Sequence, residues 1–224
     1  MNKLVARLGY GAALVSLLSF FVYIISFFGI ALNAPIFIWT NLSNFVEYNS
    51  QYNQFFKHIA MTFMLIYCIC YVIEMVCLED WVEQSKRVLA KLAVLFGLGF
   101  AILTGINYFI QITSVRFQVQ TGRIDGLEQF IMSYPISAVA SINMLGWTVF
   151  LGISSLCIAF CFGKSKIENF CKYSFLANAL FMLVASAGYI TDITVIVFVC
   201  MYVGLGGTML ATSLSLCRLF RNMN

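Results

Sequence analysis

The stretch Leu89–Thr113, LAKLAVLFGLGFAILTGINYFIQIT, decides the fold. It exceeds the about 20 residues an α-helix needs to cross the hydrocarbon core of a bilayer, and its one charge, Lys91, sits near its start. A membrane β-strand would alternate apolar and polar residues over about 10 positions; this run does not alternate. Leu8–Ile30, His58–Cys77, Ser137–Phe162, Tyr173–Ile190 and Ile193–Cys217 repeat the pattern and read as five further spans. The prediction is an all-α, polytopic integral membrane protein, a single transmembrane domain over residues 1–224 built as a bundle of six transmembrane helices. Composition agrees: 62% of residues are hydrophobic and 10% charged, against roughly 45–50% and 25% in soluble domains. A soluble globular protein is excluded. No gap between spans reaches the about 50 residues of an independent soluble domain. The first run is too long for a signal-peptide core and lacks a small-residue cleavage site, so it reads as a retained helix.

Positive charge sets the expected orientation. Lys3 and Arg7, then Lys86, Arg87 and Lys91, then Lys164, Lys166 and Lys172, and finally Arg218 and Arg221 all fall on one side of the six spans. Of the 13 Lys and Arg, only Lys57, Arg116 and Arg123 remain for the other. The positive-inside rule then predicts both termini in the cytoplasm, N-in/C-in, in the plasma membrane. Richness in Asn, Ile, Phe and Tyr suits an AT-rich genome and makes a bacterial inner membrane the favoured setting. The net charge of +4 follows from this asymmetry, so no nucleic-acid partner is needed to explain it. The eight cysteines agree with the orientation, because none lies in the two long outer loops where an oxidising exterior would favour pairing.

The two outer loops are amphipathic. In Ala31–Lys57, Ile38, Leu42, Phe45 and Val46 recur at helical spacing beside Trp39, among many asparagines. The second loop has Leu127, Phe130, Ile131 and Tyr134 before Pro135. Helices lying flat at the membrane interface are the simple reading; lids over an outward-facing cavity are the functional one. Small residues form stripes on span three (Gly97, Ala101, Gly105) and span six (Gly204, Thr208, Thr212, and Gly207, Ala211, Ser215). Such stripes let helices approach closely in lipid, within the bundle or between copies.

Known catalytic patterns are missing. The single histidine, His58, excludes desaturase-like, bis-histidine haem and zincin chemistry. There is no CxxC pair, no acidic pair suited to Mg²⁺ and no phosphate-cradling glycine loop. No catalytic residue, metal site or cofactor is expected, and a non-enzyme is the favoured reading.

The remaining signal is polar residues inside the spans, which are costly in lipid and tend to face the bundle interior. Thr104, Asn107, Gln111 and Ser114 stand three, four and three residues apart, on one face of span three. Asn143 on span four and Tyr189 on span five reach a similar outer depth, with Arg116 and Asp192 at the edge. Interhelical hydrogen bonds would explain them, and a cap on span six would explain Asp192. The sharper expectation is a ligand-binding pocket lined by Asn107, Gln111, Asn143 and Tyr189, with Arg116 and Asp192 at its mouth. An enzymatic site would require Arg116, Asp192 and His58 to converge. Glu74 falls about 24 Å below His58 at 1.5 Å per residue, near the cytoplasmic interface. There it is either a surface acid or a proton-coupling carboxylate, with Asn178 as a possible partner. The functional expectation is a small transporter-like or ligand-binding protein. The alternative is a non-catalytic membrane subunit, sensor or immunity protein acting through helix contacts. Expected partners are membrane lipid, a small-molecule ligand, and a second copy or membrane subunit.

The orientation has a direct check. On intact cells, an impermeant thiol reagent should leave Asn2→Cys and Met223→Cys unmodified and should label Asn49→Cys. Labelling at either terminus would reverse the topology.

Overall fold

The computed structural model describes residues 2–163 and 165–223; Lys164, counted above among the basic residues of one face, lies outside them. Seven helices organise the described residues, with no strand among them. They are α1 (Lys3–Asn33), α2 (Leu42–Gln51), α3 (Phe55–Trp81), α4 (Gln84–Thr121), α5 (Ala138–Ala159), α6 (Lys166–Ile190) and α7 (Thr194–Arg221). All but α2 are long and apolar enough to cross a membrane. Side chains cap the starts where helices leave loops. Asn2, Asn41, Ser137 and Ser165 accept from backbone N–H groups in the first turns of α1, α2, α5 and α6.

Most helices run past the apolar stretches that mark them. Hydropathy reports the section immersed in hydrocarbon, whereas helical hydrogen bonding continues into the interfacial layers. The overrun is largest in α4, whose 38 residues make a rod of about 57 Å at 1.5 Å per residue. That is nearly twice a hydrocarbon core of about 30 Å. The rod ends at Gly122, which takes the left-handed conformation (φ 69°) that suits glycine as a helix stop.

The six long helices pack around a ring in chain order. α1 lies against α3, α3 against α4, α4 against α5, α5 against α6, α6 against α7, and α7 closes onto α1. Tyr71, Met75, Phe100, Trp147, Met182 and Leu216 belong to the continuous apolar centre. Polar side chains inside it are spent on joining helices. Ser154 donates to the Ala93 carbonyl at 2.7 Å and lies 2.9 Å from the Tyr71 hydroxyl, tying α5 to α4 and α3. Asn178 donates to Thr208 at 2.8 Å and accepts from Ser155 at 2.9 Å, linking α6 to α7 and α5. The small-residue stripes are partly used inside the same chain: Gly97 faces Tyr71 and Ser154, and Gly204 faces the Phe181 ring, while Gly207 meets nothing within 4 Å.

Glu74 is placed differently from the expected surface position. It is 2% exposed, covered by α1, and accepts a 2.6 Å hydrogen bond from Ser16. Asn178 is not its partner, being held by Ser155 and Thr208. Which face of α3 is covered by α1 is not readable from the sequence.

The loop end of the bundle carries a second, smaller core. Phe45 of α2 packs with Val115 of α4 and with Leu127 and Ile131 of the α4–α5 loop. Trp39 stacks on Tyr134 with ring centroids 4.5 Å apart, joining the two long loops directly. The apolar face of α2 is therefore turned onto the second loop, and of the apolar residues expected at the interface in the first loop Ile38, ahead of α2, stays outside.

The opposite end is closed by α1 and α7, where a Cβ added to Gly9 would stand 2.6 Å from the buried Phe220 ring. A Cβ on Gly11, two residues away, would meet nothing within 4 Å. Gly9→Ala should lower the thermal midpoint in detergent, through an overpacking cost of about 1–3 kcal/mol. Gly11→Ala should leave it unchanged or slightly raised. Equal midpoints for the two variants would contradict this packing of α1 on α7.

Candidate functional site

The polar face of α4 is the starting point. Thr104, Asn107 and Gln111 are all buried, as their spacing requires, but Ser114 is exposed and Val115 takes the inner position. The cause is local. Residues Gln111–Val115 form a π turn, whose i→i+5 bonding inserts an extra residue and shifts the facing side from 114 to 115. The shifted register also carries Arg116 and Val119 to the side facing the loop between α2 and α3.

Each buried polar side chain on α4 makes at least one hydrogen bond. Thr104 donates to the Phe100 carbonyl and contacts the Cys68 sulfur at 3.1 Å. Asn107 donates to the Met132 sulfur at 3.1 Å, while its Oδ1 is buried with no partner among the described residues. Gln111 is a clamp: its Nε2 donates to the Phe130 carbonyl at 2.6 Å, and its Oε1 accepts from the Met132 N–H at 3.1 Å. One amide thus satisfies two backbone groups of the second outer loop and holds that loop on the bundle.

A cleft of about 590 Å³ opens beside this clamp, at the loop end. One wall is α4, with Gln111, Val115, Arg116 and Val119; the other is the amide-rich link Asn49–Gln54 and the first turns of α3, with Lys57, His58 and Met61. Two cations and the only histidine of the chain converge here, and the charges of Lys57 and Arg116 are both felt at His58. No carboxylate occurs among the described residues that line the cleft. The Lys57 ammonium lies 5.3 Å from the centroid of the Phe45 ring, and Arg116 lies over Phe117 at 4.7 Å. Neither side chain forms an ion pair among the described residues.

Of the six residues expected around a pocket, the structure brings Gln111 and Arg116 to this cleft and places the others elsewhere. Asn107 is behind the second loop, against Met132. Asn143, near the start of α5, has a buried Oδ1 without a partner among the described residues and does not line the cleft. Tyr189 is a strut: its hydroxyl donates to the Pro135 carbonyl at 3.0 Å and lies 3.1 Å from Ser141, pinning the end of α6 to the start of α5. Asp192 is exposed, in the turn between α6 and α7, with φ 58°. The Ile193 N–H there bonds to the Gly188 carbonyl at 2.8 Å, so Asp192 occupies the left-handed stop position of α6. It makes no side-chain cap on α7.

His58 and Arg116 share the cleft while Asp192 does not, so the three groups of an acid–base site are not assembled. Lys57 and the Asn49–Gln54 link are the lining residues that sequence reasoning did not single out. The visible signal was the amide-rich composition of the first loop together with Lys57, one of the few cations on this side; the fold of the loop over α4 was not visible. Glu74 remains outside the cleft, in the bundle interior against Ser16. Compared with known protein families, curated proteins and solved structures, the chain matches none of them.

The clamp is testable. Gln111→Leu leaves the Met132 N–H and the Phe130 carbonyl without their partner, at about 1–3 kcal/mol for each group that stays buried. Hydrogen exchange at the Met132 amide should accelerate at least tenfold, while exchange at Ser154 and Asn178 in the bundle centre should not change. Wild-type protection of Met132 in this variant would remove Gln111 from that role.

Proposed function

We propose that this chain is a ligand-binding, transporter-like membrane protein that receives a small anionic molecule in the cleft between α3 and α4. The observation that carries the reading is the charge balance of the cleft: Lys57, His58 and Arg116 face it and no described lining residue is acidic. A half-buried ammonium that lies over an aromatic ring and has no ion pair among the described residues is incompletely compensated. An anion completes it, and hydrogen bonds to charged groups contribute about 1.5–3 kcal/mol each. The amides of Asn49, Gln51, Asn53 and Gln54 offer donors and acceptors for the rest of the ligand. With the basic face of the bundle in the cytoplasm, the cleft opens to the extracytoplasmic side of the plasma membrane. On this reading the two long loops, held together by Trp39 and Tyr134 and clamped by Gln111, form the wall and roof of the entrance. Movement of the ligand through the bundle would make Glu74 the candidate for proton coupling, since it is a carboxyl enclosed among the helices.

The test uses the full chain in phosphatidylcholine nanodiscs with inorganic phosphate as the probe. Lys57→Gln and Arg116→Gln should each raise the Kd for phosphate about tenfold, which corresponds to about 1.4 kcal/mol. Lys86→Gln, at the other end of the bundle, should leave it unchanged. A wild-type protein that does not bind phosphate, or charge variants that bind it as tightly as the wild type, would overturn the proposal.

A further inference from the structure

A second cavity, of about 190 Å³, adjoins the first. Its lining is apolar and aromatic, with Tyr23, Phe27 and Ile30 of α1, Ala60 and Met64 of α3, and Tyr108 of α4. Lys57 and Met61 belong to the walls of both spaces. The basic, amide-rimmed cleft and the apolar cavity therefore share a wall, in which an ammonium and a thioether stand one helical turn apart. From Lys57 to Met64 the lining descends α3 by about 10 Å at 1.5 Å per residue.

From this juxtaposition we infer that the ligand is an amphiphile, an organic anion carrying one short alkyl or aryl group. Its head is held by Lys57, His58 and Arg116, and its apolar group passes Met61 into the second cavity. The inference rests on the anion-binding reading of the cleft and adds the chemistry of the rest of the molecule. Three features support it. The polarity changes within a single turn of α3, matching a molecule whose two ends differ. Methionine at the junction is flexible and fits apolar groups of varied shape. The volume suits such a group: an apolar cavity of about 150 Å³ admits benzene, and 190 Å³ takes a ring or a short chain.

The experiment compares inorganic phosphate, methyl phosphate, butyl phosphate and butyltrimethylammonium on the full chain in phosphatidylcholine nanodiscs, with empty discs as the blank. Butyl phosphate should bind at least tenfold more tightly than methyl phosphate, and butyltrimethylammonium at least tenfold more weakly than butyl phosphate. Filling the cavity with Ala60→Phe should abolish the gain from the butyl chain and leave inorganic phosphate binding within twofold of wild type. Met64→Trp tests the same prediction should Ala60→Phe fail to fold, and the chain-length series on the wild type depends on neither variant. Equal affinity for methyl and butyl phosphate would overturn the amphiphile inference while keeping the anion site. Equal binding of the butyl cation and anion would overturn it as well. No binding of any phosphate would defeat the anion reading first, and this inference with it.

Discussion

Hydrocarbon offers no hydrogen bonds, so every buried polar group of this chain needs a partner supplied by the chain itself. That constraint shapes the bundle. The backbone meets it by staying helical through all six long segments. Many side chains meet it pairwise across helix boundaries, with Ser154 on the Ala93 carbonyl, Asn178 between Ser155 and Thr208, and Trp147 on the Tyr108 hydroxyl, while the Oδ1 atoms of Asn107 and Asn143 have no partner among the described residues. Hydrogen bonds of this kind contribute about 0.6 kcal/mol each. Their larger effect is on geometry, because a rotation or slide of either helix would leave a buried group unpaired. The ring order and register of the helices are therefore specified by polar residues and held by the apolar ones around them.

The same constraint explains how the loop end is built. A loop laid over the bundle brings its own backbone amides and carbonyls out of water. Gln111 answers that need for the second loop, and Tyr189 does so for the Pro135 carbonyl. Aromatic packing of Phe45, Trp39 and Tyr134 supplies the apolar cover. The cleft is the gap left where this roof stops short of the first turns of α3. Its cations face water on one side and the bundle on the other. The proposed binding chemistry thus falls where the two cores fail to close on each other.

Much of this architecture is legible in the sequence. Runs such as Leu89–Thr113 announce their helices by length alone, and the inward polar face of span three is visible in the spacing of Thr104, Asn107 and Gln111. Three things escape a linear reading. The π turn at Gln111–Val115 has no residue signature, yet it exchanges Ser114 for Val115 on the inner face. Glu74 falls where the sequence leaves a surface position open, and only the course of α1 shows that Ser16 covers it. Depth also grouped Asn143, Tyr189 and Asp192 with Gln111 and Arg116. They belong to different sectors of the ring, and helical periodicity carries no information about which sectors adjoin. Lys57 went unmarked because its importance lies in its companions, which come from a distant part of the chain.

The unbroken course of α4 has a mechanical meaning. Residues that grip the roof and residues that cross the bundle centre are mounted on one spar, with Arg116 near its loop end and Gly97 packed against Tyr71 and Ser154. A push on the tip is not absorbed by a flexible joint, as it would be if a loop separated wall from bundle. It reaches first the wide turn at Gln111, where the winding of the helix is already irregular. On the proposed reading, occupancy at the surface would bear on a helix that runs without a break into the bundle.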